Sequence, residues 1–348
     1  MKKRITITDI SRRLNVSPTT VTKALNGKPK ISEAMREEII KVAAEMNYKP
    51  NNSAKALSRN ELTIGIVYPR EPNEFYSLIE KGLKKESDDL IDYKVNTLFY
   101  PVEGLSNAFD IREALIELKS CGIDGLVLSP GFKDIEYQDV LEELTLSKTP
   151  IVYLVNKVDK KPGLGCVCMD GILAGRMAAQ FLGFCLREKR NVVVFSCNNN
   201  IHVQRDCIKG FIEESKNQNV NLRGVFETQD DKKSAYLLME NVLADMPDVN
   251  GVYVSSYNTV AVCKCLADHK KTQDIKVIGQ DVFDEMIPYM ENGIQQATLY
   301  QNPCEQGKRA VRILYKRLIR VEVPESYFYI TPQIVFTSNL SAYINKEV

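Results

Sequence analysis

Polar and aromatic side chains follow the ends of predicted strands between residues 62 and 340. The candidates are Phe75, Tyr76, Ser129, Asn156, Asn198, Arg205, Tyr257, Asn258, Asp281 and Gln301. Ligands of open α/β sheets bind beyond the carboxyl ends of the strands, so these side chains are expected to meet. Carboxylates, amides and hydroxyls hydrogen-bond to ligand hydroxyls, and aromatic rings stack on a sugar face. The set therefore predicts a site for a polyhydroxylated ligand, although each residue alone could instead satisfy the backbone of its own loop.

A second group of short polar side chains lies near the N-terminus. Ser17 suits a helix N-cap, and Pro18 suits the first helical position, where its missing N–H removes no hydrogen bond. An apolar side of Val21, Ala24 and Leu25 leaves the other side chains pointing outward. These are Thr19, Thr20, Thr22 and Lys23.

The helix before this one is predicted from its cap and its apolar spacing. Thr6 and Asp9 have the spacing of a capping box, and Ile7, Ile10 and Leu14 recur at helical spacing. Two short helices joined by a tight turn, with a cationic outer face, indicate an element that binds DNA. The alternative is an ordinary amphipathic helix pair at the edge of a domain.

The distribution of charge favours DNA binding. Residues 1–60 contain 13 Lys or Arg and 5 Asp or Glu, a balance of +8, whereas the remaining residues contain 33 and 40, a balance of −7. A basic N-terminal segment on an acidic body is typical of a protein that binds nucleic acid phosphates.

The cysteines are predicted to be reduced core residues. The chain has 9 Cys and 2 His, and two C-x-C pairs, Cys166 with Cys168 and Cys263 with Cys265, but no C-x-x-C pair. Neither His202 nor His269 has a catalytic spacing, and no nucleophile elbow, glycine-rich phosphate loop or paired acid and base is visible. We therefore expect no metal site, no cofactor, no disulfide framework and no enzymatic activity.

Composition indicates a globular protein of two or three domains. The 348 residues are 44% hydrophobic, and no apolar run approaches the roughly 18–20 residues needed to span a bilayer. The basic N-terminus is not followed by an apolar segment, so no signal peptide is predicted. A cytoplasmic protein without a membrane partner is expected.

A third helix and a short connecting segment follow the predicted helix pair. Ser32 is the expected N-cap of the third helix, and Pro50 ends the helical pattern. Residues 53–58 form a helical piece that is too short to be stable alone. Within it, Leu57 is either a linker residue that touches the next domain or a wedge inserted into the DNA minor groove.

From residue 62 the pattern alternates between strands and helices. Such alternation predicts parallel sheets covered on both faces, and two successive series predict two similar lobes. The predicted strands are 63–68, 94–99, 125–129, 150–155, 191–196, 251–255 and 276–279. The predicted helices are 75–90, 107–121, 171–186, 203–217 and 259–268.

Five motifs give the chain a close resemblance to the lactose-repressor (LacI/GalR) family of bacterial transcription regulators. They are ITDISRRLNVSPTTVTKALNG, YKPNNSAKAL, IDGLVLSP, KVIGQD and ATLYQNPCEQG. The second half also resembles periplasmic ribose-binding proteins. The resemblance implies an all-α helix-turn-helix headpiece at 1–49, a hinge helix at 50–61, and an α/β two-lobed periplasmic-binding-protein-like domain at 62–340. We expect lobe one at about 62–160 and 292–322, and lobe two at about 161–291 and 323–340.

The resemblance also implies a homodimer that binds a palindromic double-stranded DNA operator. Pro18, Thr19 and Lys23 match base-reading positions, and Leu57 matches the minor-groove wedge. Pro18 departs from the family's usual polar or aromatic residue, and Lys23 replaces a frequent Arg. Positions that usually touch phosphate are Thr6, Ser17, Thr20, Thr22, Asn26 and Ser32.

For the effector, the resemblance matches Asp281 and Gln301 to ligand contacts and Phe75 and Tyr76 to an aromatic pair. Cys207 stands where the family usually has Arg. We therefore predict a regulator, expected to be a repressor, controlled by a sugar or sugar derivative other than ribose. The alternatives are an effector of the purine type, or a solute-binding protein of a sugar transporter.

Overall fold

The computed structural model describes residues 5–25, 29, 31–46, 60–70, 74–104, 107–130, 134–156, 163–187, 190–320 and 326–344. Two of the predicted DNA-binding residues, Asn26 and Leu57, lie outside the described residues, as does most of the predicted hinge. The chain divides into two compact units, residues 1–61 with 91–94, and residues 62–90 with 95–348.

The described part of the N-terminal unit has three helices around one small core. They are α1 (Ile7–Leu14), α2 (Pro18–Leu25) and α3 (Glu33–Glu45). The predicted capping box of α1 is confirmed, because Thr6 Oγ1 accepts a hydrogen bond from the Asp9 amide at 3.3 Å and the Thr6 amide donates to Asp9 Oδ2 at 2.8 Å. The buried core consists of Ile10, Val21, Ala24, Ile39 and Ala43.

Lobe one of the second unit is a fully parallel sheet of order β11-β5-β4-β3-β1-β2. Its strands are β1 (Leu62–Arg70), β2 (Val95–Glu103), β3 (Gly125–Leu128), β4 (Ile151–Leu154), β5 (Gly165–Met169) and β11 (Ser326–Ile330). The helices of this lobe are α4 (Glu74–Ile91), α5 (Ala108–Ser120), α6 (Gln138–Leu146) and α12 (Pro303–Leu318). Strands β3 and β4 are buried along their whole length, as expected for a sheet covered on both faces.

Lobe two repeats this architecture with the order β12-β10-β9-β8-β6-β7, in which β12 alone is antiparallel. Its strands are β6 (Asn191–Ser196), β7 (Asn221–Glu227), β8 (Gly251–Val254), β9 (Lys276–Gln280), β10 (Ala297–Tyr300) and β12 (Gln333–Val335). Its helices are α7 (Gly171–Cys185), α8 (His202–Asn217), α9 (Lys232–Asp245), α10 (Thr259–Asp268), α11 (Ile287–Glu291) and α13 (Ser341–Ile344).

The predicted boundaries between the lobes need correction. Strand β5 pairs with β4, and β11 pairs with β5, so residues 165–169 and 326–330 belong to lobe one and not to lobe two. Strand β10 pairs with β9, which places residues 297–300 in lobe two and not in lobe one. The sequence does not show which lobe these residues join, because the sheet that a strand joins is set by its neighbours in space.

The position of α8, which contributes to both sites described below, depends on close packing against α7. A Cβ atom on Gly175 would lie 2.0 Å from the carbonyl oxygen of Cys207, and one on Gly210 would lie 2.1 Å from that of Ile172. Only glycine fits at such distances, so these two residues fix how closely the two helices approach. Among the described residues, no helix combines the length and the apolar character needed to cross a bilayer.

Candidate functional site

The face of α2 that the sequence assigns to base contacts is exposed. Pro18, Thr19 and Lys23 are all exposed, whereas Val21 on the opposite side is fully buried. Ser17 caps the helix, since its Oγ accepts a hydrogen bond from the Thr20 amide at 3.0 Å. The helix therefore presents a fixed face with one long cationic side chain.

The predicted phosphate-contacting residues are placed differently from one another. Thr6 and Ser32 are exposed N-caps of α1 and α3, and the partial positive charge of a helix N-terminus favours an anion. Thr20 and Thr22 are only half-exposed, and their hydroxyls contact Ser17 Oγ at 2.8 Å and the Pro18 carbonyl at 2.8 Å. The outward orientation predicted for these two threonines is thus only partial.

A cavity of about 90 Å³ lies between the two lobes, at the carboxyl ends of the strands. Five of the predicted effector residues line it: Phe75, Tyr76, Tyr257, Asp281 and Gln301. The other lining residues are Val155, Cys197, Ile201, Val203, Gln204, Asp230, Ser255, Ser256, Gln280 and Phe283.

Aromatic pairs from the two lobes contribute to the walls of the cavity. Phe75 and Tyr76 come from α4 of lobe one, with ring centroids 5.0 Å apart, and Tyr257 and Phe283 come from lobe two, with centroids 4.5 Å apart. Both pairs are edge-to-face. Lys232 Nζ lies 5.1 Å from the centre of the Tyr257 ring, which is a cation–π contact.

Asp281 is the buried acid of the cavity. It follows β9 with φ of +61°, a left-handed conformation that is uncommon outside glycine, and its side chain is buried. Gln301 donates to it twice, from Nε2 to Oδ2 at 2.5 Å and from the backbone amide to Oδ1 at 3.3 Å. Burial raises the pKa of Asp281 to about 7, although the two hydrogen bonds oppose this change.

Gln301 connects Asp281 to lobe one. Gln306, on the first turns of α12, donates from Nε2 to the Gln301 carbonyl at 2.9 Å and to Gln301 Oε1 at 3.2 Å. All three side chains are buried. The result is a continuous polar chain from the end of β9 in lobe two to a helix of lobe one.

Gln204, on the first turn of α8, hydrogen-bonds to residues at the strand ends on the lobe-two side of the cavity. Its Oε1 accepts from Ser196 Oγ at 3.1 Å and from Ser255 Oγ at 2.7 Å, and its Nε2 donates to the Ser255 carbonyl at 2.7 Å. This network joins the ends of β6 and β8 to α8. It holds polar groups in place before any ligand enters.

Five other predicted residues do not line this cavity. Asn198 donates to Gln229 Oε1 at 2.7 Å, and Asn258 donates to Thr228 Oγ1 at 2.8 Å, so both hold loops of lobe two. Arg205 donates to the carbonyls of Asn199 and Asn200 at 3.0 and 2.9 Å. Each of these contacts satisfies local groups of lobe two and is the alternative to ligand binding.

Ser129 and Asn156 complete this group. Ser129 is buried, and its hydroxyl has no hydrogen-bond partner in the part of the chain that the structure describes. Asn156 Oδ1 accepts from the backbone amide of His202 at 3.2 Å and is also hydrogen-bonded to His202 Nδ1. Asn156 therefore holds the start of α8 against lobe one.

Sequence reasoning did not find Gln204, Asp230 and Phe283. Gln204 precedes Arg205, and the sequence alone does not tell which side chain of a first helical turn faces the cavity. Asp230 follows β7, whose half-exposed residues gave no clear strand signal. Phe283 follows the KVIGQD motif closely, so that motif was the available signal for it.

A larger cavity of about 480 Å³ lies beside α4 and α12. Its lining includes the acids Glu74, Asp284 and Glu305 and the bases Lys81 and Lys308. It contains one aromatic pair, Tyr300 with Tyr343, whose ring centroids are 5.1 Å apart, but its described lining lacks a buried carboxylate and a second ring pair. We therefore take the smaller cavity as the candidate effector site.

Comparison with known families identifies both units. Residues 6–51 match the family described as bacterial regulatory proteins, lacI family, and residues 64–319 match the periplasmic binding protein domain. This chain belongs to the lacI family. It is a DNA-binding transcriptional regulator with a periplasmic-binding-protein sensor domain, as the sequence motifs predicted.

Relatives of this lacI-family regulator align over most of its length. It is 25% identical over 323 residues to the ribose operon repressor of Haemophilus influenzae, covering 90% of this chain and 92% of the relative. It is 24% identical over 291 residues to the transcriptional regulator DegA of Bacillus subtilis, covering 80% and 82%.

The sensor domain of the lacI-family regulator has the fold of sugar-binding proteins. The glucose-galactose binding protein GanP of Geobacillus stearothermophilus superposes with a TM-score of 0.72 and 21% identity, covering 81% of this chain and 99% of that protein. At this identity the likeness establishes the fold alone.

Proposed function

We propose that this regulator is a repressor controlled by a neutral sugar or polyol bound in the cavity between the lobes. One observation carries the proposal. The cavity is lined by four aromatic rings and two carboxylates, Asp230 and Asp281, and none of its described lining residues is Lys or Arg. A phosphorylated sugar or a sugar acid would bring its negative charge to these carboxylates without a cation to compensate it.

The carboxylate of Asp281 suits ligand hydroxyls as donors. In its ionised form it has two acceptor oxygens, and a hydrogen bond to a charged group contributes about 1.5–3 kcal/mol. Gln301 already fixes the orientation of this carboxylate. Gln280 Oε1, also in the lining, has no hydrogen-bond partner among the described residues, so it offers one more acceptor.

The small size of the cavity supports the inference that the ligand enters while the lobes are apart. Its volume of about 90 Å³ is well below the roughly 300 Å³ at the lower end of known ligand sites. Glu74 of lobe one accepts hydrogen bonds from the Asp284 amide of lobe two at 3.0 and 3.2 Å, which holds the lobes together at one edge. We infer that opening of this edge admits the ligand.

Control of DNA binding follows if the ligand prefers one arrangement of the lobes. Any change that the sugar makes in operator affinity must then be matched by the same change that the operator makes in sugar affinity. The ribose operon repressor among the relatives supports repression by this chain. The proposal includes a homodimer in the cytoplasm, a palindromic operator, the minor-groove role of Leu57 and the absence of enzymatic activity.

The effector proposal is tested by calorimetric titration of the full-length protein with D-galactose, D-glucose, D-arabinose and myo-inositol. Glucose 6-phosphate and a purine nucleobase serve as charged and flat comparisons. We expect saturable binding of at least one neutral compound and none of the phosphate ester. Binding of the purine or the phosphate alone would overturn the proposal.

The DNA proposal is tested on a duplex selected from a random library with the full-length protein. Lys23→Ala is compared with Lys41→Ala, which removes an exposed charge from α3. We expect Lys23→Ala to reduce the preference for the selected duplex over random DNA by about 5–150-fold, the value of one good base contact. If Lys23→Ala weakens binding to both duplexes equally, Lys23 is a phosphate contact and not a base contact. Sedimentation of the protein with the selected duplex separately measures whether a dimer binds.

A further inference from the structure

Two cysteines and a histidine converge at a second place where the lobes meet. Cys166 and Cys168 lie on β5 of lobe one, and His202 begins α8 of lobe two. Their two Sγ atoms and one ring nitrogen of His202 all lie within 4.8 Å of one another, and all three residues are buried. Cys168 Sγ is 3.8 Å from His202 Nε2.

The strand geometry explains why the two thiols converge. Residues two apart on a strand point to the same face, so the C-x-C spacing puts both sulfurs on one side of β5. The other C-x-C pair lies on α10, where a step of two residues turns the side chains far apart. Cys265 there contacts His269, with Sγ 3.7 Å from Nδ1, but Cys263 does not join this contact.

The imidazole of His202 is oriented as a metal ligand requires. Asn156 Oδ1 accepts a hydrogen bond from His202 Nδ1, which places the ring hydrogen on Nδ1 and leaves Nε2 as the nitrogen with a lone pair toward Cys168. A carbonyl partner on the second ring nitrogen is typical of metal-bound histidine. The ring of Tyr327, 5.7 Å away between centroids, packs against the imidazole.

We propose that Cys166, Cys168 and His202 bind a divalent thiophilic cation, Zn²⁺, and that this ion ties lobe one to the first turn of α8. Zn²⁺ binds sulfur at about 2.3 Å and histidine nitrogen at about 2.0–2.1 Å, so a tetrahedral site separates these two ligand atoms by roughly 3.5 Å. The observed 3.8 Å between Cys168 Sγ and His202 Nε2 needs only a small adjustment.

Charge favours a divalent ion in this buried position. Two thiolates and a neutral imidazole around Zn²⁺ have no net charge, which avoids the cost of an isolated buried charge. A monovalent ion with the same three ligands would have a net charge of −1. This assignment departs from the expectation that the cysteines are only core residues, and it does not depend on which effector the cavity binds.

The test uses the untagged full-length protein, reduced and stripped of metal with a chelator. Zn²⁺ is then added in competition with a chromophoric chelator. We expect one Zn²⁺ per chain in the wild type, lost in Cys166→Ser, Cys168→Ser and His202→Gln and retained in Cys263→Ala, Cys265→Ala and His269→Gln. Retention by the first three variants, or no stoichiometric binding by the wild type, would overturn the proposal.

A second measurement does not depend on whether the variants fold. Co²⁺ replaces Zn²⁺ in the wild type, and we expect thiolate-to-cobalt charge-transfer bands with the intensity of two sulfurs. A spectrum without thiolate bands would contradict the cluster. Binding of Cu⁺ but not of Zn²⁺ would contradict the divalent assignment. Calorimetric sugar titration with and without Zn²⁺ separates this proposal from that of the effector.

Discussion

The two lobes meet in two chemically different ways at the start of one helix. Gln204 of α8 lies in the floor of the aromatic cavity, whereas His202, two residues earlier, lies in the cysteine cluster. The cavity offers carboxylate and amide oxygens between rings, which suit hydroxyl donors. The cluster offers sulfur and imidazole nitrogen, which suit a thiophilic cation. Neighbouring side chains can thus respond to two ligands that do not compete.

The polar groups of the two regions are also held differently. Burial raises the pKa of Asp281, and its hydrogen-bond partner Gln301 supplies neutral amides that oppose this change without adding a compensating cation. His202 is fixed by an asparagine that belongs to the opposite lobe. We therefore expect changes at Asp281 to alter sugar binding alone and changes at Asn156 to alter metal binding.

The largest effect should come from removing the buried acid. Asp281→Asn keeps the size of the side chain but removes the negative acceptor, and we expect neutral sugar affinity to fall about 10–150-fold, the equivalent of 1.5–3 kcal/mol. Calorimetric titration measures the change. Asp274→Asn, an exposed acid of the same lobe paired with Lys271, is the control and should bind as the wild type does.

Asn156→Ala should have the next largest effect, and only on the metal. Loss of the partner that orients a ligating histidine costs about 10–100-fold in metal affinity. Chelator competition measures this loss, with Asn217→Ala at the other end of α8 as the control. Unchanged Zn²⁺ affinity together with impaired sugar binding would show that Asn156 acts on the effector site and not on the cysteine cluster, which would contradict this difference between the two regions.

Sugar affinity should depend on pH through Asp281. A hydroxyl that donates to the carboxylate favours the ionised form, so the pKa of Asp281 falls when the ligand binds. Binding should therefore tighten as pH rises through the free-protein pKa of about 7, by about tenfold between pH 6 and pH 8. The dependence should vanish in Asp281→Asn. Affinity that weakens over this range would mean that the protonated acid binds the ligand.

The smallest effect should come from one aromatic wall. Tyr257→Ala removes a ring that lines the cavity, and we expect sugar affinity to fall about 2–10-fold, since aromatic contacts contribute about 0.5–1.5 kcal/mol. Tyr257→Phe keeps the ring and should retain most of the affinity. If Tyr257→Phe loses as much as Tyr257→Ala, the hydroxyl and not the ring is the contact.

Sequence patterns were sufficient for the strongly periodic elements. Helix 171–186, strand 191–196 and helix 259–268 were predicted within a residue or two of their observed ends, because their apolar spacing is clear. Strands β5, β10 and β11 were assigned to the wrong lobe. A strand of four or five residues does not indicate which sheet it joins, and only pairing across the sheet distinguishes lobe one from lobe two.

The residues of the candidate site were also predicted only in part from the sequence. A residue directly after a predicted strand lines the cavity only where the backbone conformation directs its side chain there. Asp281 is an example, because its left-handed φ is known only from the folded chain. Asn198 and Asn258 occupy similar positions in sequence but bond to neighbouring loops of lobe two, and Arg205 on the first turn of α8 bonds to the loop before its helix. Residue type alone does not separate these outcomes, since the same amide or guanidinium suits either one.

The sequence by itself determined the capped helices of the headpiece, the cationic face of α2, the alternation of strands and helices, and the family. These features depend on local spacing and on charge. Only the tertiary structure decided that Cys166 and Cys168 face His202 while Cys263 and Cys265 diverge, although both pairs have the same spacing. The physical reason is that a strand repeats every two residues and a helix every 3.6, and that His202 reaches β5 only through the packing of the two lobes.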